Sequence, residues 1–205
     1  MSEADELFPR ALTRDRDGFP PPPTPVVPSP YACRLVDPGA DAEMIADWMS
    51  RPHLVRGWDS AWPASRWQQY LRAQLDGNYS RPFVGSINGV YHGYFELYWT
   101  AMDVIGTRYE SEPYDLGIHP AIADPEIVHD GIAQFLLPHV VASVLNAETQ
   151  CRRIIFDPDR RNKPARLFCE SGGCVFLGEH DVKDRRLALY VLPRTLDDVP
   201  RLRDV

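Results

Sequence analysis

Tyr114-Asp115-Leu116-Gly117-Ile118-His119 and Phe156-Asp157-Pro158-Asp159-Arg160-Arg161-Asn162 are the two segments on which the fold turns. Each reads as an extended run that closes on a polar residue, His119 in the first and Asp157 in the second. One helical stretch, about Val128 to Asn146, lies between them. A strand, a helix of that length and a second strand form a right-handed crossover, which makes the strands parallel. Open α/β sheets bind ligands at the carboxyl ends of such strands. Neighbouring strands lie about 4.8 Å apart, so an imidazole and a carboxylate at that edge can address one substrate. That is the makeup of an acid/base site.

Outward from this crossover the chain alternates in a regular way. Cys33 to Val36 reads as a strand, and Asp41 to Ser50 as a helix carrying Met44, Ile45 and Trp48, ended by Pro52. Ser65 to Leu75 is a second helix, with Trp67, Leu71 and Leu75 on one face. Pro82 to Ile87 and Gly93 to Trp99 form a hairpin around Asn88-Gly89. Beyond the crossover, Asn162 caps a helix that runs to Ser171 and stops at Gly172-Gly173. Cys174 to Gly178 and Arg186 to Leu192 are the last strands. The order β-α-α-β-β-β-α-β-α-β-β predicts an α+β (α/β) fold: a mixed, mostly antiparallel sheet with a central parallel β-α-β crossover and helices on both faces.

Residues 1–30 are expected to be an extended tail that drapes over the domain or dangles from it and buries little apolar surface, because seven prolines fall between Pro20 and Pro30. The folded domain is expected over 31–193, with a short C-terminal tail over 194–205. The 205 residues suit one well-buried domain, and 44% hydrophobic with 25% charged residues is an ordinary globular mix. A net charge of −7 argues against nucleic acid as a partner. No apolar run is long enough for a transmembrane segment, and the acidic start is unlike a signal peptide, so the cytoplasm is the expected location. Cys33, Cys151, Cys169 and Cys174 read as reduced, buried or half-buried thiols, and no metal site is expected. No GxGxxG or P-loop accompanies the crossover.

Several ungapped blocks carry a more specific likeness. They are Trp48-Met49-Ser50-Arg51-Pro52-His53-Leu54, Trp58, Trp62-Pro63-Ala64-Ser65-Arg66-Trp67, Phe95-Glu96-Leu97-Tyr98-Trp99, Asp115 to His119, Phe156 to Asn162, and Gly178-Glu179-His180-Asp181. In that order they resemble the siderophore-biosynthesis acyltransferases of the GNAT superfamily, nearest to the lysine N-acyltransferases of mycobactin assembly. The resemblance implies transfer of a long acyl group from an acyl carrier protein or coenzyme A to the ε-nitrogen of lysine or a lysine-derived siderophore precursor. It implies no permanently bound cofactor beyond that acyl-thioester donor. Its two active-site residues fall on His119 and Asp157. It also points to His53 and Trp99 on the acceptor side, and to a Trp58, Trp62, Trp67 and Trp99 set suited to an acyl chain.

For the donor, the superfamily's Q/R-x-x-G-x-G/A signature falls on Val128-His129-Asp130-Gly131-Ile132-Ala133. This makes Gly131, Ile132 and Ala133, together with Asn162, the donor-binding candidates. Val128 replaces the basic or amide residue, and Asp130 adds a negative charge where a pyrophosphate would lie. The departure favours a carrier protein's phosphopantetheine over coenzyme A. Arg152, Arg153, Arg160, Arg161, Lys163 and Arg166 are a candidate docking patch for an acidic carrier protein.

The chemistry requires a base. A lysine ammonium has a pKa near 10.4, so the neutral nucleophile costs about 4.6 kcal/mol at pH 7. Either His119 removes the proton while Asp157 holds the imidazole or the ammonium, or a desolvated Asp157 is the base and His119 orients the amine. The ordinary pKa values favour His119. A backbone N–H near Ile118 to Ala121 would stabilise the thioester oxygen, though Pro120 has none to offer. An aminoglycoside N-acetyltransferase and a non-catalytic acyl-group sensor or scaffold are the competing readings.

Overall fold

The computed structural model describes residues 7–124 and 132–203. Among these, seven strands form one mixed sheet in the order β1-β2-β3-β4-β5-β7-β6. They are β1 (Tyr31–Leu35), β2 (Ser80–Ile87), β3 (Val90–Trp99), β4 (Leu116–Ile122), β5 (Arg153–Phe156), β6 (Val175–Val182) and β7 (Arg185–Pro193). The helices are α1 (Ala42–Met49), α2 (Pro52–Trp58), α3 (Ala64–Asp76), α4 (Ile132–Ala147) and α5 (Lys163–Ser171). Every neighbouring strand pair is antiparallel except β4 and β5, which are parallel. The mixed sheet and its single parallel crossover are as the sequence predicts.

Two apolar clusters flank the sheet. One joins Ile45, Trp48 and Met49 of α1, Leu54 of α2, and Trp67 and Leu71 of α3 to Val84, Tyr94 and Ala121. The other packs Leu137, Val140, Val141 and Val144 of α4 with Phe83, Phe95, Leu97, Leu116, Ile118 and Ile154. The division follows the period of two along β3 and β4, since successive residues point to opposite faces. The β2–β3 hairpin turns at Asn88 and Gly89, whose φ angles of 49° and 79° are both left-handed. Such a turn matches the twist of the strands it joins and favours the Asn-Gly sequence found here.

Three features differ from the sequence reading. The helix α2 was not anticipated: Pro52 does stop α1, but it then occupies the first turn of a new helix, where its missing N–H costs nothing. Secondly, β4 begins at Leu116 and continues to Ile122, so His119 lies within a strand rather than at its end. Its pairing with β3 runs from Trp99↔Leu116 to Gly93↔Ile122, whereas its pairing with β5 covers only Leu116↔Ile154 and Gly117↔Ile155. The two parallel strands therefore part after two residue pairs, and His119 and Asp157 lie just past the parting.

The third difference concerns the termini. The proline-rich segment packs against the domain as part of its wall. Phe8 is buried and meets the rings of Tyr70 and Tyr79. The Arg14 carbonyl accepts from the Asn78 and Tyr79 N–H groups, Pro20 accepts from the Trp99 indole, and Pro22 and Pro25 are buried. Prolines exclude helix and ladder but leave carbonyls and ring faces free to dock, so extended did not mean detached. The C-terminal stretch is anchored too, by a bridge between Leu202 and Tyr109. Deleting residues 1–29 should lower the melting temperature by about 10 °C or more, because it removes a buried aromatic and a buried ion pair. An unchanged melting curve would show that the segment contributes no stability.

Candidate active site

β3 and β4 present three facing pairs on the side covered by α1 to α3: Tyr94↔Ala121, Glu96↔His119 and Tyr98↔Gly117. Gly117 is required there. A Cβ would lie 2.1 Å from the Tyr98 ring, which leans over the glycine and stacks on the His119 imidazole at 4.4 Å. From that position the Tyr98 hydroxyl donates to Asp157 Oδ1 at 3.1 Å. Asp157 follows the last residue of β5, and its Oδ1 meets His119 Nε2 at 2.9 Å. The pair selected from sequence is thus joined by a direct hydrogen bond.

Asp157 is buried, with its second oxygen ion-paired to Arg10. Arg10 also reaches Asp103 at 2.9 Å, and the Tyr79 hydroxyl donates to the same carboxylate. Burial opposes the charge on Asp157, but the charges of Arg10 and His119 outweigh it and hold its pKa well below the ordinary carboxylate range. Burial likewise disfavours an imidazolium at His119. The Asp157 charge, the hydrogen bond His119 donates to Asp157 and the nearby Glu96 carboxylate prevail over it and over Arg10, and raise the pKa above 6.5. An ionised carboxylate can only accept, so Nε2 carries the proton and Nδ1 holds the lone pair when the ring is neutral. Nδ1 in turn faces Glu96 Oε2 at 3.7 Å.

These groups line a cleft of about 420 Å³ walled by the N-terminal segment, α2, the loop before α3, and β7. Trp58 and Trp62 face it, and Asn162 lines it while capping α5 through the Ala165 N–H. His53 and Trp99 do not reach it. His53 Nε2 lies 2.9 Å from the Ile122 carbonyl, clasping α2 to the end of β4. Trp99 is fully buried against Phe19 and Tyr114. Trp67 is also interior, so the expected slot of four tryptophans reduces to Trp58 and Trp62. Ile132 and Ala133 open α4, whereas Gly131, with Val128 and Asp130, lies outside the described residues.

The expected basic docking patch is largely neutralised from within. Arg153 is buried on Asp115 and Glu112, Arg152 pairs with Asp198, Arg161 with Asp159, and Arg166 with Glu179. Arg160 and Lys163 are left exposed without an ion pair among the described residues.

Sequence reasoning missed Arg10, Glu96 and Tyr98. For Glu96 and Tyr98 a signal existed, since they share the period-two face of a strand opposite His119. Arg10 had none, for it sits in a segment whose composition gave no hint of contact.

The sequence and the fold that carry this site are matched by known proteins. The sequence model of the acetyltransferase (GNAT) domain family fits residues 37–182. The chain also resembles an aminoglycoside acetyltransferase, AAC(6')-Ib, solved in complex with coenzyme A, with a TM-score of 0.71 and 25% identity over 80% of this chain and 95% of that one. The chain belongs to the GNAT acyltransferase family and is an acyltransferase. More narrowly, it is 53% identical to lysine N-acyltransferase MbtK of Mycobacterium sp. strain MCS, across all of this chain and 87% of that protein. It is 51% identical to the protein of that name from Mycobacterium tuberculosis strain H37Rv, over 93% of each. It therefore belongs with the lysine N-acyltransferases. N(6)-hydroxylysine O-acetyltransferase of Escherichia coli is a more distant relative, at 26% identity over 78% of this chain.

His119→Ala and Asp157→Asn should each lower kcat/KM by about a hundredfold or more. Their stability effects should differ. Asp157→Asn leaves Arg10 facing an uncharged group in a buried site and should cost about 3 kcal/mol, while His119→Ala should cost less. Chemical denaturation alongside turnover measures both, and wild-type-like turnover in either variant removes that residue from the reaction.

Proposed function

We propose that this chain moves an acyl group from a thioester to the ε-amine of lysine or of a lysine-derived siderophore precursor. The observation that carries this reading is the His119–Asp157 hydrogen bond at the parting of β4 and β5, in a chain half identical to lysine N-acyltransferases. His119 is the base in this reading, and Asp157 fixes its tautomer. Asp157 itself is too acidic to take a proton from an ammonium, given its buried pairing with Arg10.

The proton on the lysine ammonium passes to His119 Nδ1. The freed lone pair attacks the thioester carbonyl carbon, a C–N bond forms, and the C–S bond breaks. The second amine proton leaves with the thiol, and the first is returned to solvent from the imidazolium. The Ala123 N–H bonds to the His92 carbonyl and the Thr100 N–H to the Asp115 carbonyl, so odd-numbered residues of β4 face β3. Ile118 and Pro120 then face β5: the Gly117↔Ile155 bridge engages the Ile118 N–H with the Ile155 carbonyl, and Pro120 has no N–H, so neither is free for the thioester oxygen.

Because His119 acts as the neutral ring and its pKa is raised, kcat/KM should climb with pH through an inflection above 6.5 and then level off. Removing the Asp157 charge withdraws the main influence raising that pKa, so the residual activity of Asp157→Asn should show an inflection at lower pH. A rate profile with no inflection in the imidazole range would exclude His119 as the base. Mass spectrometry of lysine incubated with acyl donors of increasing chain length tests the reaction itself.

The donor thiol belongs to coenzyme A or to a carrier protein's phosphopantetheine. The carrier protein is the donor we propose, docking on Arg160 and Lys163, the exposed cations that the internal pairings spare. The Michaelis constant for acylated carrier protein should rise with added salt, and Arg160→Glu with Lys163→Glu should raise it without affecting that for the matching acyl-coenzyme A. Equal effects on both donors would contradict this docking.

A further inference from the structure

Glu96 is a buried carboxylate that the dyad leaves unused. Its side chain is 7% exposed, in the middle of β3 and directly opposite His119. Among the described residues both of its hydrogen bonds fall on one oxygen: the Tyr94 hydroxyl donates to Oε1 at 2.6 Å and the Tyr70 hydroxyl at 2.9 Å. Burial pushes both phenol pKa values up, which keeps these hydroxyls as donors. Oε2 accepts no hydrogen bond from the described residues. Glu96 lines the cleft, and Oε2 lies 3.7 Å from His119 Nδ1, too far for a hydrogen bond between them.

A buried carboxylate held by neutral donors on one oxygen alone is costly unless a cation meets the other. The nearby guanidinium of Arg10 is spent on Asp157 and Asp103, and His119 offers Glu96 a positive charge only when its ring is protonated. The free oxygen and the base nitrogen are separated by a distance that lets one donor nitrogen lie within hydrogen-bond reach of both. The approach to that point runs past Trp58, Trp62 and Tyr70, flat aromatic surfaces that suit an alkyl stem and attract a cation.

We propose that Glu96 is the anchor for the acceptor's ammonium group, binding it through Oε2 and presenting it to His119 Nδ1. The proposal rests on the acyl-transfer reading above and names what that site selects: a positively charged primary amine at the end of an apolar stem. Glu96 keeps its own proton state through the reaction. It holds the ammonium while Nδ1 takes the proton, and the neutral amine then leaves Glu96 for the thioester carbon. An acceptor whose nitrogen is uncharged at neutral pH, such as an alkylhydroxylamine, gains nothing from this contact.

Glu96→Gln keeps an oxygen for Tyr70 and Tyr94 but removes the charge. With one short-chain acyl thioester as donor, the Michaelis constant of this variant for lysine should rise about thirtyfold while kcat stays within about threefold. For N6-hydroxylysine, both constants should change by less than about threefold. Equal losses with both acceptors, or an unchanged Michaelis constant for lysine, would overturn the proposal and leave Glu96 as a clasp for the two tyrosines. If the variant does not fold, calorimetry on the wild-type protein decides: lysine should bind at least about tenfold tighter than 6-hydroxynorleucine, its uncharged counterpart. Equal binding of the two contradicts the anchor. A wild-type protein that acylates neither acceptor would overturn the functional reading instead, which separates the two failures.

Discussion

The ion pair between Arg10 and Asp157 is the interaction on which the site depends. An ionised carboxylate in the interior costs several kcal/mol unless a cation and hydrogen bonds meet it. Asp157 has both, from Arg10, His119 and Tyr98. Because the carboxylate stays ionised, the imidazole must donate from Nε2, and Nδ1 becomes the nitrogen that can accept. Arg10 also tempers the effect of Asp157 on His119, since its positive charge opposes a second one on the ring. One guanidinium thus fixes which group is acid-stable, which nitrogen is basic and how basic it is.

Backbone geometry supplies the other half. β4 stays with β3 to Ile122, while β5 leaves it after Ile155 and pairs with β7 as far as Phe156↔Tyr190. Pro120, unable to donate to any ladder, lies one residue beyond His119 on the side that has parted. The opening this creates is edged by backbone, His119 and Asp157. The side chains around it are held by packing rather than by loops. Gly117 admits the Tyr98 ring, Tyr98 stacks on His119, and Trp58 of α2 meets the imidazole edge-on at 6.0 Å. Asp115, two residues before Gly117, keeps β5 in place from below through Arg153.

Much of this was legible in the sequence. The crossover and its dyad followed from two strands, one helix and the rule of handedness, and the Asn-Gly turn and the Asn162 cap are local chemistry that tertiary contacts left alone. What local reading could not reach was contact across long separations. Arg10 meets Asp157 across 147 positions, and nothing in a proline-rich stretch advertises a buried guanidinium partner. The reach of β4 past His119 was hidden because His119-Pro120 looks like a strand end, yet pairing on one side alone tolerates proline. His53 and Trp99 lie in matching blocks yet are placed as a clasp and as core, and a block alone does not tell such places from a cleft wall. The basic run is smaller as a free surface than it reads, because Arg152, Arg153 and Arg166 are answered by acids distant in sequence and Arg161 by Asp159.

The account's central claim is that His119 rests with its proton on Nε2 and receives the substrate proton on Nδ1. Nitrogen-15 NMR of histidine-labelled protein, with His119→Ala as the assignment control, reads the tautomer and the titration of that ring together. The account predicts a neutral ring protonated at Nε2, titrating above 6.5 in the wild type and at lower pH in Asp157→Asn. A resting ring protonated at Nδ1, or a titration that ignores the Asp157 charge, would contradict it.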